Sequence, residues 1–403
     1  MTPAARIAAA IELLDAILAG APAERALTNW GRANRFAGSG DRAAVRDHVF
    51  DALRCRGSYA LLGGGLSGGA ASEGAVSGRA LMLGWARAEG HDPSAFFTGA
   101  GHAPAPLSAA EAALCATPLP AEAELAGCDW PEWLQARLRA DLGADYDAVS
   151  AAMRHRAPVF LRVNLARATP AQALAALEEE GIGAEPHPLA DSALKVTAGA
   201  RRLAQARAYR EGLVELQDAS SQAMLALAPV LAGQTVLDYC AGGGGKALAL
   251  AAAQPGAKIT AHDIDAARMA DIAPRAARAG ARITLARPGA LRGRFDLVLV
   301  DAPCSGSGTW RRSPEAKWRL TPARLDELVA LQAAILAQAS GLVAPGGRLF
   351  YMTCSVLDVE NSSQISAFLA GAPAAAGWRL ENSQRLLPGA GGDGFFGAVL
   401  RRD

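Results

Sequence analysis

From about residue 216 onward, short apolar runs alternate with stretches of helical period. That alternation restricts the fold more than any other feature of the chain. Residues 235–240, 258–264, 282–287, 295–300 and 348–353 read as strands. Helical patterns begin at Lys246, at 266–279 and after Thr321-Pro322. In the last of these, Leu325, Leu328, Val329, Gln332, Ile335 and Leu336 share one face. Near-continuous apolar strands belong to parallel sheets covered on both faces. Strand and helix in strict succession therefore predict an α/β domain over 216–403. Ligands in such sheets bind beyond the carboxyl ends of the strands.

Four strand ends carry chemistry. The first runs into Gly242-Gly-Gly-Gly245 and a helix, a turn that lets backbone approach a ligand closely. Taken alone it suits a dinucleotide, S-adenosylmethionine or no ligand. Asp263 closes the second strand, where an acid accepts hydrogen bonds from ribose hydroxyls. Lys246 stands near a helix N-terminus, where the macrodipole disfavours a cation, so an anionic partner is expected: a cofactor carboxylate or a nearby Asp. The fourth strand ends in Asp301-Ala-Pro-Cys304 and the fifth in Thr353-Cys354-Ser355. In the strand order 3-2-1-4-5 those two strands are neighbours, about 4.8 Å apart. Cys304, Cys354 and Asp301 then share one pocket. That set suits a pyrimidine, whose carbon 5 is a poor nucleophile until a thiolate adds at carbon 6. An acid at ring nitrogen 3 steadies the adduct, and a base must later take the carbon 5 proton. A free thiol is only about 3% ionised at neutral pH, so the pocket should depress one thiol pKa. The sequence does not say which.

The first 143 residues read as an all-α domain. Helices are expected at 4–20, 40–56, 79–90, 107–116 and 131–142. Ile7, Ile11, Leu14 and Leu18 form one core stripe, and Val45, Val49, Phe50 and Leu53 another, with Asp41 as a helix cap. The Gly-rich run 62–78 reads as a loop or break. Arg32, Arg35, Arg42 and Arg46, with Trp30 and Phe36 among them, suit a phosphate backbone or an ordinary solvated face. Residues 144–215 read as a small α+β module. It has strands at 158–163 and 193–196, a helix after Thr169-Pro170, and Arg201, Arg202, Arg207 and Arg210 available to a polyanion.

Composition narrows the class. The 403 residues carry a net charge of +1, so any nucleic-acid contact must come from local patches. The six cysteines form no Cys-x-x-Cys pair and the histidines do not cluster with them, which argues against a metal site and a disulfide framework. Reduced thiols point to the cytoplasm. No signal peptide, membrane span or internal repeat is visible, and a monomer is expected.

The segments Asp301–Gly306 and Thr353-Cys-Ser355, with the spacing between them, resemble the RNA cytosine-5 methyltransferases of the RsmB/Sun group. Leu161-Arg-Val-Asn164, Leu216–Gln222, Arg311–Trp318, Ala344–Gly347, Glu360-Asn361 and Asp393–Phe396 also match motifs of that group. The resemblance covers nearly the whole chain. It implies a Rossmann-like, class I methyltransferase domain preceded by a NusB-like helical RNA-binding domain and an RRM-like module. It also implies an enzyme that methylates carbon 5 of cytosine in RNA, most naturally 16S ribosomal RNA, with S-adenosylmethionine as cofactor. Cys354 would be the nucleophile and Cys304 the releasing partner. Asp301 would hold the base, and Lys246 would lie between cofactor and active site. Cys240, Ala241, Gly242, Gly243, Gly244, Gly245, Lys246, Asp263, Arg268 and Asp301 would form the cofactor site. Arg311, Arg312, Lys317, Arg35 and Arg42 would meet RNA or shape the pocket.

The chain departs from the group's pattern in three places. The usual cofactor loop is Cys-Ala-Ala-Pro-Gly-Gly-Lys-Thr, whereas here it reads Cys240-Ala-Gly-Gly-Gly-Gly-Lys-Ala247. Ala286-Arg-Pro-Gly289 lacks the acid usual after strand three, and Ser313 replaces a usual His. Two other readings stay open: DNA cytosine-5 methylation with Cys304 as nucleophile, and a non-catalytic RNA binder in ribosome assembly.

Overall fold

The computed structural model describes residues 1–65, 76–371 and 377–403. Most of the Gly-rich run expected as a break at 62–78 therefore lies outside the described residues. The chain forms two compact units. One comprises Met1–Arg156 together with Trp310–Arg319, the other Ala157–Thr309 with Leu320–Asp403.

The first unit is helical. Its opening helix, Pro3–Leu18, begins where Thr2 Oγ1 accepts the Ala5 N–H at 3.2 Å, with Pro3 needing no donor of its own. Ile7 and Leu14 are fully buried, and Ile11 and Leu18 pack at the edge of the same core. Helix Ser39–Arg54 starts two residues before Asp41. Asp41 is thus not the cap but sits in the first turn, accepting from Gly38 N and from Arg6 Nε at 2.9 Å. The unit runs past residue 143 because helix Tyr146–Arg154 belongs to it. Arg154 reaches Asp129, and Trp130 Nε1 donates to Ser150 Oγ at 2.8 Å.

The second unit holds two sheets. Strands β1 (Phe160–Val163), β2 (Ala184–Pro186), β3 (Ala193–Val196) and β4 (Val214–Leu216) form an antiparallel sheet in the order β2-β3-β1-β4. Helix Pro170–Glu178 follows β1 and is started by a Thr169–Gln172 capping box. The larger sheet contains β5 (Thr235–Asp238), β6 (Lys258–His262), β7 (Ile283–Ala286), β8 (Phe295–Asp301), β9 (Val343–Thr353), β10 (Trp378–Leu386) and β11 (Phe395–Arg402). Its order is β10-β11-β9-β8-β5-β6-β7. The first five strands in chain order are parallel, in the expected arrangement with β8 beside β9, and β10 and β11 add an antiparallel hairpin.

Alternation divides the core of this sheet. Val236, Leu297, Leu299, Phe350, Met352 and Val399 pack on one face. Leu237, Val298, Val300, Leu349, Tyr351 and Leu400 pack on the other. The helix expected over 266–279 is instead a 3-10 turn, Ala266–Met269, followed by helix Ile272–Ala279. Pro274 cannot donate a backbone hydrogen bond, so it is tolerated only in a helix's first turn. Asp265 meanwhile ties off the earlier turn by accepting Ala267 N at 2.9 Å.

Candidate active site

The register of β8 and β9 builds the site. Asp301 lies opposite Met352. Three residues past Asp301 comes Cys304, and two past Met352 comes Cys354. Their sulfurs stand 3.5 Å apart. The two loops are locked by one carboxylate, Glu360, which is fully buried. Its Oε1 accepts from Ser305 N at 2.8 Å and Gln332 Nε2 at 3.0 Å. Its Oε2 accepts from the hydroxyls of Ser305 and Ser355, both at 2.5 Å. Asn361 donates to Ser355 O at 3.0 Å and accepts from Thr353 Oγ1 at 2.5 Å. Gly308 completes the clamp, donating to Cys354 O and accepting from Gly394 N, each at 2.9 Å. A Cβ at Gly308 would lie 2.3 Å from Gly394 O, so only glycine fits.

The electrostatics separate the two thiols. Contact with Cys354, then burial, then the nearby negative charge of Cys354 and Glu360 push the Cys304 thiol up. Those three causes all favour the protonated form of Cys304, and either sulfur can be the donor in the contact between them. Beside them, Lys246 Nζ donates to Asp301 Oδ2 at 2.5 Å, so the anionic partner expected of Lys246 is Asp301. Burial works against the Lys246 ammonium, but Asp301 and Asp238 outweigh it and its pKa is raised. The ammonium also lies 5.8 Å from the centre of the Phe395 ring.

Asp238 was not singled out from the sequence, although an acid closing a buried apolar strand is a readable signal. It is 1% exposed, and Oδ2 accepts Ala247 N at 3.1 Å while Oδ1 has no hydrogen-bond partner. Burial pushes its pKa up to about 7, with Lys246 opposing and Asp301 adding to the shift. An unfolded aspartate titrates near about 3.9, so between about pH 4 and 7 only the native state holds this proton. Its contribution to stability is complete below that window and is lost as the pH rises through it. Asp238→Asn does not titrate. Its stability in urea unfolding should gain on that of the wild type between pH 4.5 and 7.5, by on the order of 3 kcal/mol. Equal pH profiles for the two proteins would show that Asp238 is ionised throughout.

The glycine loop follows β5. Gly242 (φ 49°) and Gly244 (φ 77°) occupy the left-handed region, and a Cβ on Gly245 would meet no atom within 4 Å. Asp263, 1% exposed, accepts Gly242 N at 2.9 Å and Asp265 N at 3.0 Å, and Arg268 pairs with it at 3.2 Å. Ala241 N donates to His262 O. Loop, acid and Arg268 thus come together as expected. Cys240 is held neutral there, burial and then the neighbouring aspartates pushing it up to about 12. Ile264, directly after Asp263, is 83% exposed, an apolar surface at the loop that sequence reading passed over.

The expected RNA contacts divide. Lys317 is 2% exposed and Arg311 3%, both within the helical unit. Lys317 Nζ donates to Arg54 O at 2.9 Å and lies over the rings of Trp130 and Trp318. Burial pushes its pKa down to about 8, Asp129 opposing. Neither side chain is available to RNA phosphates; both serve the packing of the helical unit, and Arg312 alone of that motif's three is exposed. Trp30, Arg32, Arg35, Arg42 and Arg46 line one cleft of about 580 Å³. Arg46 is spent on Glu24 at 2.7 and 2.6 Å, whereas Arg32, Arg35 and Phe36 are exposed. No helix among the described residues is long and apolar enough to cross a membrane.

A parallel sheet in this order, with a glycine loop after its first strand and an acid after its second, is Rossmann-like, the architecture of class I methyltransferases and of dinucleotide-binding domains. Residues 224–401 match the family model for the 16S rRNA methyltransferases RsmB/F, and residues 130–201 match its ferredoxin-like domain. The ribosomal RNA small subunit methyltransferase B of Salmonella arizonae is 38% identical over 282 residues, 67% of this chain and 66% of that protein. The protein of the same name from Xanthomonas campestris pv. campestris is 37% identical over 302 residues, 70% and 68% of the two chains. These matches thus span about two thirds of the relatives' own length. The crystal structure of PH0851 superposes with a TM-score of 0.75 at 24% identity, over 100% of this chain and 99% of that one. The chain belongs to the RsmB/F family of rRNA methyltransferases.

Proposed function

We propose that this protein transfers a methyl group from S-adenosylmethionine to carbon 5 of a cytosine in small-subunit ribosomal RNA. The observation that carries the reading is the pair of sulfurs 3.5 Å apart at adjacent strand ends, beside the Asp301–Lys246 ion pair. When bound, S-adenosylmethionine supplies an electrophilic methyl on a sulfonium. The residues present fit it: the glycine loop exposes backbone, Asp263 suits ribose hydroxyls, and Ile264 beside it offers an apolar surface. Cys240–Lys246, Asp263 and Arg268 would hold it.

The chain's own groups divide the work. Cys354 adds to carbon 6 and makes carbon 5 nucleophilic, while Asp301, steadied by Lys246, holds the ring at nitrogen 3. Cys304 begins protonated chiefly because of the Cys354 sulfur. Once that sulfur is bonded to carbon the contact no longer holds the proton on Cys304, which gives it up to solvent more easily at the moment a base is needed. It then takes the carbon 5 proton, the carbon 6–sulfur bond breaks, and the methylated base leaves. The target base must be unstacked to enter, at a cost of a few kcal/mol. The alternative in which Cys304 attacks first is kept apart by the adduct each cysteine variant leaves. The helical unit, through Arg35 and Arg42, supplies backbone contact, and the protein acts as a cytoplasmic monomer.

Bisulfite mapping of total RNA from cells with and without the protein tests the reading. One small-subunit cytosine should be protected only when the protein is present. Protection confined to tRNA or large-subunit RNA would reassign the substrate, and no change at any cytosine would remove the activity.

A further inference from the structure

Four consecutive glycines should make the loop before Lys246 costly to order, since glycine loses the most backbone freedom on fixing. Two of its carbonyls are nevertheless held by arginines. Arg275, on helix Ile272–Ala279, donates to Gly243 O. Arg162, on β1 of the small sheet, donates through Nη1 to Gly245 O at 3.0 Å and to Gln217 Oε1 at 2.8 Å. Arg162 is 4% exposed, and its Nε has no hydrogen-bond partner. Glu215 lies directly opposite Arg162 on β4. It is 2% exposed and pairs with Arg275 at 3.1 Å and with Arg278. Asn164 ties the same edge to Ala279 O at 2.9 Å. The small sheet therefore reaches the loop by two routes, directly through Arg162 and indirectly through Glu215 and Arg275.

A buried guanidinium is expensive to keep, and burial lowers the Arg162 pKa to about 10 with Glu215 opposing. We propose that Arg162 and Arg275 are positioning residues for the methyl-donor loop, holding by carbonyl hydrogen bonds a loop that has glycine in place of the family's proline at Gly243. The small α+β module is then part of the cofactor site rather than a spacer. Holding the Gly243 and Gly245 carbonyls fixes the peptide planes that lead into helix Gly245–Ala253, whose first N–H groups have no partner within the helix. The inference rests on reading this loop as the S-adenosylmethionine site.

Gly243 gives a direct test. Its φ is not in the left-handed region, and a Cβ there meets only the end of the Arg275 side chain, at 3.2 Å. Gly243→Pro should therefore fold with a shift of a few tenths of an ångström in the flexible end of Arg275. Arg162→Gln should weaken S-adenosylmethionine binding by about tenfold in calorimetry, with the KM for RNA and kcat within about twofold. Arg162→Lys should fall between, and adding Gly243→Pro to Arg162→Gln should restore most of the lost affinity. Hydrogen exchange at 241–246 without ligand should quicken by about tenfold in Arg162→Gln and slow again in the double variant. Unchanged exchange in Arg162→Gln, or a folded double variant that recovers neither protection nor affinity, overturns the proposal. If the wild type binds no S-adenosylmethionine while exchange follows this pattern, the bracing stands and the ligand reading falls. Should Arg162→Gln not fold, Arg162→Lys with and without Gly243→Pro carries the same comparison.

Discussion

Cys354→Ala is expected to abolish methylation, by on the order of 10⁴-fold or more, and to leave no covalent complex with RNA. Cys304→Ala is expected to stop turnover too, but with a protein–RNA complex that survives denaturation. The asymmetry follows from the two sulfurs. Contact with Cys354 and burial both raise the Cys304 pKa. Without Cys304 the carbon 6–sulfur bond can form but no group is placed to take the carbon 5 proton. A denaturing gel with labelled RNA and S-adenosylmethionine separates the outcomes. A stable adduct in Cys354→Ala and none in Cys304→Ala would exchange the two roles and restore the reading in which the Pro-Cys thiol attacks.

Glu360→Ala is the second large effect. Its carboxylate takes four hydrogen bonds from Ser305, Ser355 and Gln332 while fully buried. Removing it takes away an acceptor shared by all four donors, with Gln332 Nε2 keeping Pro303 O and Ser355 Oγ keeping its contact with Ser307 Oγ, a loss of about 3 kcal/mol in urea unfolding. The Glu360 carboxylate joins the two thiol loops to each other, so kcat should fall by about 10²-fold as the sulfurs lose their spacing. The KM for the methyl donor should hold, because none of those donors lies on the glycine loop. Glu360→Gln keeps the shape and should lose less, since serine hydroxyls can turn to accept from an amide. A Glu360→Ala protein with wild-type kcat would mean the loops are held by their own backbone bonds.

Much of the site was legible because its parts are local. An apolar run ending in Asp301-Ala-Pro-Cys304, another ending in Thr353-Cys354, and glycines followed by Lys246 each state their position in a short stretch. Strand order joined them, since parallel neighbours present their carboxyl ends together. The hairpin β10–β11 was not foreseen. β10 is an exposed edge strand with a register shift between Leu380 and Asn382, which blurs its alternation. Glu360 belonged to a recognised motif, yet its acceptor role depends on Gln332, 28 residues earlier on another element.

Sequence alone determined the α/β order, the glycine turn, the acid after β6 and the pair of cysteines, because strand period, turn chemistry and spacing are written residue by residue. Only the tertiary structure decided what each charge faces. Lys317 reads as a surface cation and is buried at 2% exposure, while Lys246 finds Asp301, 55 residues away. Arg162 reads as one residue of a strand and is the small sheet's reach to the loop at Gly245. Burial and long-range partners set ionisation and orientation, and they exist only once distant segments have packed together.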